Sequence, residues 1–139
     1  MAEGNSGDPH PEGWPGQLWL EGRTVVHVLD EQQRPTHMPR GPAKRTGPGF
    51  LNPAMAPART RSVLLLNDAL EHGWLVSDNK SIRVLDALCA TGVRIRRWRN
   101  EIPMLNQNRL RITANDLDEF ALNWARHSHS THPPHQSIE

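Results

Sequence analysis

The 139-residue sequence contains a single cysteine, Cys89, which excludes an internal disulfide framework. No apolar run approaches the roughly 20 residues that a membrane-spanning helix needs. There is no charged-then-apolar leader at the start either. These absences lead to the expectation of a soluble, cytoplasmic protein with no membrane partner. A large excess of one charge is also missing: the formal net charge is +1, so the total carries no nucleic-acid signature. The charge is uneven along the chain, however. Residues 1–21 carry only acids, residues 23–61 hold seven Lys or Arg against Asp30 and Glu31, and Arg94, Arg96, Arg97 and Arg99 form a second basic cluster. Local basic faces can steer a polyanion even when the sum is near zero. Solvated charged faces are the plain alternative, above all for Arg96 and Arg99.

Most of the 12 prolines and 10 glycines lie before residue 58, which leaves a packed part the size of half a nucleotide-binding sheet. Residues 1–16 have too little apolar content to fold alone and are expected to be a disordered lead-in. Residues 17–49 read as a β-hairpin and a basic loop. Leu18-Trp19-Leu20 and Thr24-Val25-Val26-His27-Val28 flank the turn residues Glu21-Gly22, and the hairpin is expected to pack on the main sheet. Further on, Val63 to Leu70 reads as a largely buried helix that Gly73 stops, with Thr60 or Ser62 as its cap and Arg59 beside its entrance. An arginine there opposes the helix dipole. A ligand carboxylate held by the guanidinium fork would explain it, and a surface arginine is the alternative.

The organising stretch is Ile82-Arg83-Val84-Leu85-Asp86-Ala87-Leu88-Cys89-Ala90-Thr91-Gly92-Val93-Arg94. A short run of β-formers ends in the acid Asp86, crosses a small-residue loop and reaches Gly92, which opens an Arg-rich helix. In a parallel α/β sheet this junction forms a crevice for polar ligands. A second strand, Arg109 to Asp116, also ends in an acid and leads into a helical pattern through Phe120, Leu122, Trp124 and Ala125. Asp116 lies where such units place the acid that accepts hydrogen bonds from ribose hydroxyls; capping the next helix is the alternative role. Cys89 in the loop reads as a small buried thiol, because the sequence sets no base beside it. After Arg126 come His127, His129, His132 and His135. With no cysteine nearby and with Pro133 and Pro134 among them, residues 128–139 are expected to be a flexible tail without a physiological metal site.

Three segments together resemble the tRNA (guanine-26-N2)-dimethyltransferase family: Phe50-Leu51-Asn52-Pro53-x-Met55-x-x-x-Arg59-x-x-Ser62-Val63, then Leu85-Asp86-Ala87-Leu88-Cys89-Ala90-Thr91-Gly92-Val93-Arg94, then Ala114-Asn115-Asp116. The resemblance covers about residues 18–127 and corresponds to the amino-terminal part of that family. It implies a partial Rossmann-like class I methyltransferase sheet preceded by a β-hairpin region, with residues 50–127 as half of an S-adenosylmethionine-binding domain. It further implies S-adenosylmethionine as cofactor and tRNA as partner. Arg59 and Arg94 match family arginines at the cofactor, Asp86 the acid near its methionine part, and Asp116 the acid at its ribose. Two positions depart from the pattern: Leu51 stands for an aromatic residue, and Thr60 stands for an Asp. The family's Asp-Pro-Phe-Gly-type motif, which faces the target guanine, has no counterpart before Glu139. The catalytic group therefore stays unassigned, and a fragment inactive alone is expected. A nicotinamide-dehydrogenase half-domain fits poorly, because Leu88 and Ala90 stand where a pyrophosphate loop wants glycine. A non-catalytic RNA- or protein-binding module on the same half-sheet is the remaining alternative.

Overall fold

The computed structural model describes residues 17–28, 51–75 and 81–131. The expected lead-in at 1–16, the basic loop at 34–45, Phe50, and His132 and His135 lie outside these residues. The described chain is a mixed α/β structure with two separate two-stranded sheets and four helices.

Strands β1 (Gln17–Glu21) and β2 (Thr24–Val28) form the expected antiparallel hairpin. Its tight turn is closed by Gly22 in the left-handed region, at φ +58°. Alternation does the sorting here: Thr24, Val26 and Val28 are buried on one face, while Leu18 and Leu20 stand exposed on the other. The hairpin does not lie on the main sheet as expected. Its apolar face meets helices instead, Val26 and Val28 packing with Val93 against Trp19 and Leu51. It is also tied to the last helix, where the His27 N–H donates to Ser128 Oγ at 2.9 Å and the His27 and His127 rings meet edge to face.

Helix α1 (Ala56–Glu71) starts earlier than Thr60 or Ser62. A 3-10 turn over Pro53–Met55 leads into it, and the Asn52 side chain caps that turn by accepting the Ala54 N–H. Prolines at the first positions of the turn and of the helix cost nothing there, since those N–H groups have no helical acceptor. Thr60 and Ser62 instead bond back to the carbonyls of Ala56 and Arg59 within the helix. The helix ends as expected at Gly73 (φ +67°), where the Trp74 N–H returns to the Ala69 carbonyl at 3.0 Å.

Strand β3 (Ile82–Asp86), helix α2 (Val93–Glu101), the short helix α3 (Met104–Gln107) and strand β4 (Leu110–Ala114) follow. Strands β3 and β4 pair in parallel, with Ile82 opposite Leu110 and Asp86 opposite Ala114. Val63 and Leu70 of α1, Ile82 of β3, Trp98 of α2, Ile102 just after it, and Leu110 of β4 form the main core. Helices α1 and α2 thus share one face of the parallel pair. Helix α4 (Glu119–Thr131) runs past the expected start of the tail, and Ser128 inside it is fully buried. The hydroxyl that anchors β2 holds this stretch in the helix.

Candidate functional site

Two acids adjoin at the carboxyl ends of the parallel strands. Asp86 closes β3 and is buried; Asp116 follows β4, after Asn115, whose N–H donates to the Asp86 carbonyl at 2.9 Å. The loop between β3 and α2 is stitched to this second segment. The Cys89 N–H reaches the Asn115 carbonyl at 2.9 Å, the Ala90 N–H reaches Asp116 Oδ2 at 2.8 Å, and Asn115 Nδ2 reaches the Ala87 carbonyl at 3.2 Å. Asp116 Oδ1 also accepts the Asp118 N–H at 3.0 Å, so the turn before α4 is fixed by the same carboxylate.

The loop turns through two left-handed residues, Ala90 at φ +45° and Gly92 at +75°. For Ala90 this is a strained conformation, of the kind that persists where the surroundings over-determine it. At Gly92 a Cβ would stand 3.0 Å from the Cβ of Ala125, so the glycine also allows α2 and α4 to approach closely. Gly92 gives α2 no side-chain cap, so the first N–H groups of the helix have no capping side chain from it. Thr91, buried in the loop, has no hydrogen-bond partner for its Oγ1 among the described residues.

Electrostatics set Asp86 apart. Burial pushes its carboxyl up; Arg94 and the Leu88 N–H pull it back, and Asp116 adds to the rise, the balance lying above the ordinary value. Arg94 answers it incompletely, with its Nη1 at 3.4 Å from Asp86 Oδ1 and its side chain 43% exposed. Burial, with help from Asp86 and Asp116, also pushes the Cys89 thiol up to about 11. That excludes a thiolate nucleophile at neutral pH.

Asp86, Arg94 and Asp116 are therefore brought together, but Arg59 is not among them. It lies in the first turn of α1 and forks onto Glu21 at the end of β1, with Nε to Oε1 at 2.7 Å and Nη2 to Oε2 at 2.6 Å. Its Nη2 also donates to the Asn52 carbonyl at 3.0 Å, which leaves Nη1 as the donor with no partner among the described residues. Arg97 completes this second cluster. Its Nη1 reaches Glu21 Oε1 at 3.2 Å and Thr60 Oγ1 at 2.9 Å, while Nε and Nη2 fork onto Glu101 at 2.7 Å each. Burial pushes the Glu21 carboxyl up, but the hydrogen bonds and charges of Arg59 and Arg97 outweigh it and hold it below the ordinary value.

The basic run on α2 is accordingly split. Arg96 and Arg97 are buried ties, Arg96 Nε donating to the Val25 carbonyl at 2.9 Å, and a solvated face at Arg96 is ruled out. Only Arg94 and Arg99 of the run retain partial exposure. Glu21 and Arg97 were not singled out from the sequence, and the one cue was the acid preceding Gly22 in the hairpin turn. Among the described residues no three His, Cys, Asp or Glu side chains are grouped to hold a metal, and no helix is long and apolar enough to cross a membrane.

Adjoining carboxylates at the ends of parallel strands, around a loop that opens a helix, define a class: the α/β proteins, in which polar ligands bind at the carboxyl ends of the parallel strands. Its family follows from comparison with family models. Residues 22–131, more than half of the chain, match TRM, the N2,N2-dimethylguanosine tRNA methyltransferases, and the chain belongs to that family. The resemblance carried by the three motifs is thus borne out. Neither the curated proteins nor the solved structures searched contain a match.

Proposed function

We propose that this chain is the S-adenosylmethionine-binding part of a tRNA (guanine-26-N2)-dimethyltransferase, built on the first half of a Rossmann-like sheet. The observation that carries the reading is that the family match falls on the unit in which Asp86 and Asp116 adjoin. The chemistry of the donor set fits the cofactor. A buried carboxylate raised above its ordinary value favours a cation beside it, and Arg94 at 3.4 Å meets that need only in part. Asp86 would face the amino-acid part of the cofactor. Asp116 would accept from the ribose hydroxyls through the remaining lone pairs of its two oxygens, which also hold the Ala90 and Asp118 N–H groups. Arg94 would hold the carboxylate, while Arg59 stays forked onto Glu21 in the closed cluster.

When bound, the cofactor supplies an electrophilic sulfonium methyl, and the work left to the protein is alignment and exclusion of water. Cys89, held neutral, stays out of the chemistry. None of Arg59, Asp86, Arg94 and Asp116 is assigned to the guanine amine, and the sequence contains no Asp-Pro-Phe-Gly run. Asp86, Arg94 and Asp116 serve cofactor binding, and the group that meets the guanine amine is not assigned. Arg94 and Arg99 are the candidates among the described residues for contact with tRNA phosphates.

Incubation of the full chain with unmodified tRNA and methyl-labelled S-adenosylmethionine, with photochemical crosslinking of the cofactor, tests this reading. It predicts label crosslinked to the protein. Label at guanine 26 would show a self-sufficient enzyme. RNA retention without any crosslink would favour the non-catalytic binding module.

A further inference from the structure

The ties between the two parallel strands do not stop at the last pairing, Asp86 with Ala114. Asn115 gives three of its groups to the segment that follows β3: its N–H donates to the Asp86 carbonyl at 2.9 Å, its carbonyl accepts the Cys89 N–H at 2.9 Å, and its Nδ2 donates to the Ala87 carbonyl at 3.2 Å. Asp116 adds a fourth tie, Oδ2 accepting the Ala90 N–H at 2.8 Å. The main-chain ties of Asn115 would form with almost any residue at that position. The tie to Ala87 needs a short side chain that ends in an N–H donor, which is what asparagine supplies.

What these bonds hold is costly to hold. Ala90, at φ +45°, is the only residue other than glycine in the left-handed region among the described residues. An alanine free to relax leaves that region, and here its departure would carry the Ala90 N–H away from Asp116. The loop is therefore pinned on both sides of Cys89, at Ala87 by the Asn115 carboxamide and at Ala90 by the Asp116 carboxylate.

We infer that Asn115 is a positioning residue for the proposed cofactor site. Its carboxamide fixes the start of the loop between β3 and α2, so that Ala90 keeps its left-handed turn and its N–H stays on Asp116. The carboxylate that would take the ribose hydroxyls is thereby held in one orientation, and Asn115 itself touches no ligand. The effect on affinity rests on the cofactor reading above; the brace from Asn115 through Ala90 to Asp116 stands on the geometry of the chain.

Three variants of the full chain, each checked for folding by circular dichroism, test this: Asn115→Ala, Asn115→Asp, and Asn115→Ala combined with Ala90→Gly. Amide exchange followed by NMR without ligand reads the loop. The Ala90 N–H should exchange about three- to tenfold faster in Asn115→Ala than in the wild type, the span of one ordinary hydrogen bond. Calorimetric titration with S-adenosylhomocysteine reads the site. Affinity should fall by a similar factor in Asn115→Ala, and at least as far in Asn115→Asp, which keeps the size but puts an acceptor in place of the donor. Glycine enters the left-handed region without penalty, so adding Ala90→Gly should return affinity to within about twofold of the wild type. A general loss of stability would not be repaired in this way. Unchanged Ala90 exchange in Asn115→Ala, unchanged affinity in it, or a double variant that binds no better than the single one would each overturn the inference. A wild type that binds no S-adenosylhomocysteine, with Ala90 exchange still accelerated in Asn115→Ala, would overturn the cofactor reading and leave the brace standing.

Discussion

Helix α2 carries two ion clusters one turn apart, and they are built on opposite terms. Around Arg97, every charge is answered inside the protein: Glu21 receives two arginines, Arg97 reaches two acids, and the fork distances are 2.6–2.7 Å. Around Arg94 the answer is loose, with a single contact of 3.4 Å to an acid that burial has pushed up. The first cluster joins β1, α1 and α2 and is structural. The second leaves charge unsatisfied at the ends of the parallel strands, which is what a binding site requires. Their pH dependences therefore have opposite signs. Glu21 is lowered in the fold, so its contribution is present above the unfolded carboxylate value and lost as pH falls through the folded one. Asp86 is raised, so its contribution is present below the unfolded value and lost as pH rises through the folded one.

The largest effect should come from breaking the closed cluster. Glu21→Ala leaves Arg59 buried without its carboxylate and should cost about 3–5 kcal/mol in chemical denaturation. Gly92→Ala comes next: it forces a left-handed alanine at φ +75° and a Cβ at 3.0 Å from that of Ala125, and should cost about 1–2 kcal/mol. The loose cluster should respond in the other direction. Asp86→Asn should stabilise the chain at neutral pH by about 1 kcal/mol, as expected where a site has been kept at the expense of the fold. It should also remove the fall in stability that the wild type shows as pH rises above the ordinary carboxylate range. Arg94→Ala, at a half-exposed position, should move stability by less than about 0.5 kcal/mol.

The sequence displays the loose cluster far better than the closed one, and the reason is distance along the chain. Strand β3, its acid, the small-residue loop and Gly92 are contiguous, and β4 repeats the pattern, so local propensity and turn chemistry reveal them. The closed cluster joins Glu21 to Arg97 across 76 residues, and nothing near Arg97 distinguishes it from its half-buried neighbour Arg99. The start of α1 is obscured because Pro53 stands before it and Pro57 in its first turn, and the helix is apolar with leucines on both sides. The last turns of α4 were missed because Ser, His and Thr are weak helix formers; burial of Ser128 against the hairpin overrides that preference.

The most direct test of the central claim, that the loose cluster rather than the closed one takes the ligand, is calorimetric titration of the full chain with S-adenosylhomocysteine. The comparison is the wild type against Asp116→Ala, with circular dichroism to establish that both are folded. The account predicts saturable binding by the wild type and affinity at least about tenfold weaker in the variant, the loss of roughly 1.4 kcal/mol or more. A folded wild type that binds nothing, or a variant that binds as tightly as the wild type, would contradict it.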